Sequence, residues 1–247
     1  MNLRVRIIQV LLDLNERIYF YPRLRKAYVN MLSHFGNGGK PELTVVDVGS
    51  NKGQSIEFFL SLNPRSKIFG FEPNVDLFDK LQHRYLGHSN VIVYNKGVSS
   101  SSEKRIFRVN VLDETSTFEV VNDSSEHLAW KKKVLGYSGK TLVCDQYEVQ
   151  TTTLAEFLSD VDLTMVDVLK IDVEGHELDC LKGLFGDKGT IVPVRLIQLE
   201  EHRDDLYTTG MVEIEELLRV NGFEKRIQVK HGFGNLYDVL WLNKSIE

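Results

Sequence analysis

The side chains best suited to chemistry in this sequence stand just past two short apolar runs: Asp172 and Glu174 after Val166–Ile171, and Glu200 and His202 after Leu196–Leu199. Runs this short and apolar read as buried parallel strands, and open α/β sheets bind ligands outside the carboxyl ends of such strands. Three carboxylates and one imidazole there offer two kinds of chemistry. His202, whose ordinary pKa lies near neutrality, can act as a general base, with Asp172 or Glu200 orienting it or a substrate. The same four groups, Asp172, Glu174, Glu200 and His202, also form an oxygen-rich set with one imidazole, which suits Mg²⁺ or Mn²⁺ better than zinc. Glu174 and Glu177 have a plainer use as well, at the start of the following helix, where negative charge is favoured. His202 can equally be an exposed side chain, and His176, beside a glycine at that helix start, is as readily solvent-facing as ligating.

A second constellation lies near the start of the apolar runs. Val45–Val48 leads into Gly49-Ser50-Asn51-Lys52-Gly53, a buried strand running into a glycine-bearing turn and then a helix. Gly49 and Gly53 let the backbone approach a ligand that a side chain would hold off, and Asp47 can accept a hydrogen bond from a ligand amino group. Some twenty residues on, Phe69-Gly70-Phe71-Glu72-Pro73 ends the next strand with an acid, and such a carboxylate can take both hydroxyls of a ribose. Glu72 therefore reads as an adenosine anchor. Asn95, at the end of the third strand, can face the adenine, with Val98 as an apolar contact. A nicotinamide dinucleotide would use the same strand, turn and acid, so an NAD-dependent oxidoreductase is a competing reading. The glycine spacing departs from GxGxxG, however, and there is no Tyr-x-x-x-Lys pair for hydride transfer.

The elements that must position these groups alternate strand and helix. Strands are expected at Leu43–Val48, Lys67–Phe71, Val91–Asn95, Val166–Ile171 and Leu196–Leu199, and helices at Ser55–Leu62, Asp76–Tyr85, His176–Leu184 and Val212–Val220. Phe223–Val229 and Tyr237–Leu242 flank Gly232-Phe233-Gly234-Asn235 and read as a closing β-hairpin. Between the third and fourth strands, residues 99–150 form an insertion without a helical period, expected to make extra strands or a flap over the substrate. Residues 3–35 carry helical spacing that Pro22 divides in two, and Gly36-Asn37-Gly38-Gly39 reads as a hinge. The chain thus divides into an N-terminal helical extension, residues 1–40, and a main domain, residues 41–247. The extension can pack as a lid, pair two copies into a homodimer, or lie weakly on a membrane surface with its arginines toward headgroups.

In that order, Asp47-Val48-Gly49-Ser50-Asn51-Lys52-Gly53, Phe71-Glu72-Pro73, Leu169–Glu177 and Glu200-Glu201-His202 resemble the FkbM-type methyltransferases, from about Leu43 to Leu242. The family often has alanine where Ser50 stands, a small-for-small difference. The resemblance implies a class I methyltransferase, a Rossmann-like α/β fold with a mostly parallel seven-stranded sheet and helices on both faces. It implies S-adenosylmethionine as methyl donor, held by Asp47, Gly49, Asn51, Gly53, Glu72, Pro73, Asn95 and Asp172, and typically O-methylation of a sugar or secondary-metabolite hydroxyl. The acceptor would then be a small molecule or a glycan. Methylation of nitrogen usually shows Asn-Pro-Pro-Tyr after the fourth strand, where Asp172-Val173-Glu174-Gly175 stands. A relative that binds adenosyl ligands without turnover is a further alternative, although both donor-side and acceptor-side motifs are retained.

Composition narrows the setting. With 247 residues, 42% hydrophobic and 26% charged, the chain can bury a sizeable core. A net charge of −5 gives no general attraction to nucleic acid. Its two cysteines, Cys144 and Cys180, show neither disulfide-framework nor metal spacing and fit a reducing, cytoplasmic setting. Arg4, Arg6 and Asp13 interrupt Leu3–Leu14, so that stretch does not read as a signal peptide, and no run is long enough for a transmembrane segment.

Overall fold

A computed structural model describes residues 3–32, 42–112, 115–120, 124–186, 192–202, 211–231 and 236–246. Seven strands form one sheet: β1 (Thr44–Val48), β2 (Lys67–Phe71), β3 (Val91–Tyr94), β7 (Val166–Ile171), β8 (Val194–His202), β9 (Phe223–Lys230) and β10 (Leu236–Asn243). Their order across the sheet is β3-β2-β1-β7-β8-β10-β9. The pairs from β3 through β8 are parallel, and β10 runs antiparallel to both of its neighbours. The chain winds outward through β1, β2 and β3, then returns to place β7 on the other side of β1. That reversal opens a crevice at the carboxyl ends of β1 and β7.

Both faces of the sheet are covered, so the strands read as continuous apolar runs whose alternate residues go to opposite cores. Val46, Phe69, Leu169, Ile197 and Trp241 pack against α6 (Leu154–Asp160), α7 (Glu177–Phe185) and α8 (Met211–Val220). Val45, Ile68, Val168, Leu196 and Leu240 pack against α2 (Tyr21–Leu32), α3 (Gln54–Leu62) and α4 (Val75–Arg84). Local signals set the helix starts: Asn74 Oδ1 accepts from the amides of Asp76 (3.0 Å) and Leu77 (3.3 Å), and Thr153 Oγ1 accepts from that of Glu156 (3.1 Å).

Two stretches differ from the expectation. The insertion forms β5 (Lys104–Asn110) and β6 (Val143–Thr152), joined with β4 (Gly97–Val98) in a second, three-stranded sheet, but it also holds a helix, α5 (Glu126–Leu135). Only Leu128 and Leu135 of α5 are buried, while Trp130 and Val134 are exposed around a run of three lysines, so the helix carries almost no apolar stripe. Its ends are nonetheless marked, by the Ser125 cap on the Leu128 amide and by Gly136 in the left-handed conformation, φ 76°. Near Pro22, α1 (Leu3–Asn15) and α2 are joined by a π-helical turn, Glu16–Phe20. Proline lacks an amide donor and crowds the carbonyl four residues earlier, and the wider turn accommodates this without a break in the helical path. The Gly36–Gly39 segment and the Gly232–Asn235 hairpin tip lie outside the described residues.

Candidate active site

The β1 turn and the β7 edge meet at the crevice. The Asp172 amide donates to the Val48 carbonyl (3.1 Å), and a Cβ on Gly49 would stand 1.9 Å from the Asp172 carbonyl oxygen. Gly49 adopts φ +84° as well, so both conformation and space exclude a side chain. Glu72, buried at the end of β2, ties two turns together: Oε2 accepts from the Asn51 amide (2.7 Å) and Oε1 from the Asn74 amide (2.8 Å). The carboxylate also lines the cavity, where a ligand hydroxyl can approach it. Asn51 is held at φ 49°, an uncommon conformation for a non-glycine residue.

Val48, Gly49, Ser50, Asn51, Glu72 and Pro73 line one end of a cavity of about 390 Å³, a volume ordinary for small-molecule sites. Asp47 and Asn95 stand differently from the other candidates. Asp47 is fully buried, accepts from Ser55 Oγ (2.6 Å) and lies 3.6 Å from Lys170 Nζ, behind the residues that line the cavity. Asn95 Nδ2 donates to the carbonyls of Glu72 (2.9 Å) and Pro73 (3.2 Å), and its side chain borders a separate depression with Tyr137 and Tyr147. Gly53, at φ +87°, begins α3.

The other end of the cavity is a charge network in which Lys170, Glu200 and Asp238 are buried and Asp172 and His231 half-buried. Lys170 Nζ lies 3.0 Å from Asp172 Oδ2. Burial alone would lower the ammonium's pKa, but the Asp172, Asp47 and Asp238 carboxylates outweigh it and raise the net value. Burial likewise pushes the Asp172 carboxyl up, and Lys170, His231 and a hydrogen bond with Glu200 overcome this to hold it below the usual range. Beyond Glu200, His231 Nε2 is 2.8 Å from Asp238 Oδ1. Burial opposes the imidazolium, yet Asp238, Glu200 and Asp172 raise its pKa to about 9. Ligand-type atoms of Glu200, His231 and Asp238 all lie within 4.8 Å of one another. Gln198 Nε2 donates to Asp238 Oδ2, and the Tyr28 hydroxyl donates to Gln198 Oε1, which couples α2 to the site. The ring of Phe20 stacks on His231 with centroids 3.9 Å apart.

Of the sequence candidates, Asp172, Glu174 and Glu200 line the cavity together. Glu174 is held at φ 55°, and its carbonyl accepts from Thr117 Oγ1 (2.8 Å). His202 ends β8 at the register position opposite Leu236, and its side chain lies outside the described residues. His176 is not solvent-facing: it is buried, with Nδ1 2.6 Å from Glu119 Oε1 and Nε2 3.0 Å from Ser99 Oγ, so it pins the insertion to the start of α7. Glu177 Oε1 accepts from the amides of Val173 (3.2 Å) and Gly175 (3.2 Å), the helix-start role. The sequence reading missed Lys170, Gln198, His231 and Asp238. A signal was present for three of them, because a lysine, a glutamine and an aspartate inside apolar strands are rarely buried without partners. His231 carried none, as it belongs to a hairpin that contributed no other candidate.

The N-terminal helices and the insertion contribute one wall of the cavity. Ile8 and Leu12 of α1, Phe20 and Tyr21 at the π turn, and Trp130 and Val134 of α5 border it. Phe118 also lines the cavity, its ring tilted against that of His176 with centroids 5.4 Å apart.

Comparison with known proteins places this geometry. Residues 47–225 match the family described as the methyltransferase FkbM domain. The chain is 24% identical over 212 residues to the 2-O-methyltransferase NoeI of Sinorhizobium fredii, covering 84% of this chain and 82% of that protein. It is 29% identical over 139 residues to the hexuronic acid methyltransferase AglP of Haloferax volcanii, covering 56% of this chain and 48% of that one. A further relative, 27% identical over 241 residues, is far longer, and the chain spans 11% of it. Among solved structures, Methyltransferase FkbM from Methylobacillus flagellatus shares the fold, with a TM-score of 0.50 at 13% identity over 85% of this chain and 45% of that chain.

Proposed function

Since the chain belongs to the FkbM methyltransferase family, we propose that it is an S-adenosylmethionine-dependent methyltransferase that methylates a hydroxyl group of a small-molecule or glycan acceptor. The observation that carries this reading is the cavity at the β1/β7 reversal, with Glu72 at one end and the Asp172, Glu200, His231 and Asp238 network at the other. The residues fit the donor: a backbone cradle at Gly49 that no side chain can enter, and the Glu72 carboxylate lining the cavity at the distance a ribose anchor requires beyond that turn. When bound, S-adenosylmethionine supplies a sulfonium methyl. Asp47, Gly49, Asn51, Gly53, Glu72, Pro73, Asn95 and Asp172 form its shell in this proposal, with Asp47 and Asn95 acting by holding Lys170, Ser55 and the Glu72-Pro73 backbone in place. NoeI and AglP are named for a 2-O-methyl transfer and for a hexuronic acid, which supports a sugar-like hydroxyl as the acceptor.

The chain's own residues then have two tasks. One is to hold the acceptor oxygen in line, about 3 to 3.5 Å from the methyl carbon. Asp172, ionised beside Lys170, accepts the hydroxyl's hydrogen bond, and Glu200 orients it. The other task is proton removal, which we assign to His202 at the end of β8. His231 is unsuited to it at neutral pH, because the carboxylates around it keep the imidazole protonated. A divalent ion at Asp172, Glu174, Glu200 and His202 fits poorly. Lys170 and His231 already supply the positive charge that these carboxylates require, so EDTA should leave turnover intact.

Helices α1 and α2 and the insertion serve as walls of the acceptor site, and the chain works in the cytoplasm, in keeping with two cysteines that form no disulfide. Among the described residues no helix is long and apolar enough to cross a membrane. Calorimetry with S-adenosylhomocysteine and with NAD decides the donor. Binding of NAD with no response to S-adenosylhomocysteine would restore the oxidoreductase reading, whereas adenosyl binding without methyl transfer to hexuronides or other polyols would favour the non-catalytic one.

A further inference from the structure

Helix α1 leaves an apolar stripe uncovered. Leu3, Ile7, Val10, Leu11 and Leu14 are 50–70% exposed, and at 3.6 residues per turn they fall in an arc of roughly 100°. The opposite side faces the protein, where Val5 and Asn15 are buried and Ile8 and Leu12 border the cavity. The stripe continues into Ile18 and Tyr19, 55% and 53% exposed. Five large apolar side chains presented to water along one helix face mark a contact surface.

Charge identifies what covers it. Arg4 and Arg6 fall on either edge of the stripe, and both are exposed. The first 35 residues carry six Arg and Lys against two acids, a net of +4, while the remaining residues carry 24 against 33, a net of −9 that completes the chain's −5. Helix α5, which packs on α1 through Leu128 and Leu135, adds Trp130, 59% exposed, beside Lys131, Lys132 and Lys133. An apolar stripe flanked by arginines, with a tryptophan and more cations alongside, has the form of a helix lying in the interface of an anionic bilayer: apolar side chains enter the acyl boundary and long cationic ones reach the headgroups. The strongly negative remainder of the molecule would be repelled by the same surface, which fixes the orientation.

We propose that α1, with the exposed turn of α5, docks this protein on anionic membrane surfaces. The docking does not depend on which group the enzyme methylates. The test is co-sedimentation of the full chain with vesicles of pure phosphatidylcholine and of phosphatidylcholine mixed equally with phosphatidylglycerol, at low and high salt. The expected result is binding to the mixed vesicles only, weakened by salt. Arg4→Gln and Arg6→Gln should each lower partitioning about fivefold, and Ile7→Glu with Leu14→Glu should abolish it while leaving S-adenosylhomocysteine affinity unchanged. The emission of Trp130 in the unaltered protein gives a readout that needs no variant in α1: it should shift to the blue on adding mixed vesicles, whereas Trp241 is fully buried and silent. Three outcomes would overturn the proposal: no sedimentation with either vesicle, binding that survives Ile7→Glu with Leu14→Glu, or a dimer in sedimentation equilibrium that those substitutions dissociate without any vesicle binding. Loss of S-adenosylhomocysteine binding in the unaltered protein would instead count against the methyltransferase reading.

Discussion

Glu72 and His202 test the two ends of the cavity separately. Glu72 is the one carboxylate at the β2 end that both holds the glycine turn and faces the cavity. Hydrogen bonds to a charged group contribute about 1.5–3 kcal/mol, so Glu72→Ala should weaken S-adenosylhomocysteine binding about 10- to 100-fold, with Glu72→Gln intermediate. Calorimetry reads this directly, and an unchanged Kd would remove Glu72 as the ribose anchor. At the other end, His202→Ala and Asp172→Asn should each lower kcat by about 10² to 10⁴, and in His202→Ala the adenosyl Kd should change little. If both variants keep full turnover, proton removal by these groups is wrong and positioning alone drives the transfer.

Among the elements, α2 and α5 matter beyond packing. Tyr28 reaches from α2 to Gln198 on β8, and Gln198 holds Asp238 on β10, so a helix outside the sheet helps set a network inside it. On the opposite wall, Trp130 of α5 borders the cavity, while Tyr137, just past the helix, lines the separate depression. Trp130→Ala should therefore raise the acceptor KM without moving the S-adenosylhomocysteine Kd, and Tyr137→Ala should alter neither. Steady-state kinetics on the two variants checks this, and equal effects on acceptor KM would show that the insertion does not divide its faces in this way.

For the whole molecule, the His231–Asp238 pair ties together the two strands of the closing hairpin and makes stability depend on pH. The folded pKa of His231, about 9, lies above the ordinary histidine value of about 6.5. The imidazolium is thus favoured by folding. Its contribution is complete below about pH 6.5 and is lost as pH rises through about 9, with an upper bound of about 3 kcal/mol. Tm should fall across that interval, and His231→Gln should flatten the fall. A Tm in the unaltered protein that holds constant up to about pH 10 would mean that the imidazole is not charged in the folded state.

Most of the sheet and the donor turn were legible in the linear sequence, because each depends on near neighbours. Apolar runs such as Lys67–Phe71 and Val166–Ile171 mark buried strands, Gly49 and Gly53 mark a turn that needs positive φ, and Glu72 stands at a fixed distance beyond it. What only the tertiary structure decided was which polar groups meet. Helix α5 has too weak an apolar stripe to announce itself, and His176 read as either solvent-facing or ligating, whereas the fold holds it between Glu119 and Ser99 of the insertion. The strand order places β10 beside β8, so Asp238 and His231 reach Glu200 across more than thirty residues of chain. Periodicity records which residues are buried; it carries no information on which distant strand will lie alongside, and the charge network depends on that adjacency.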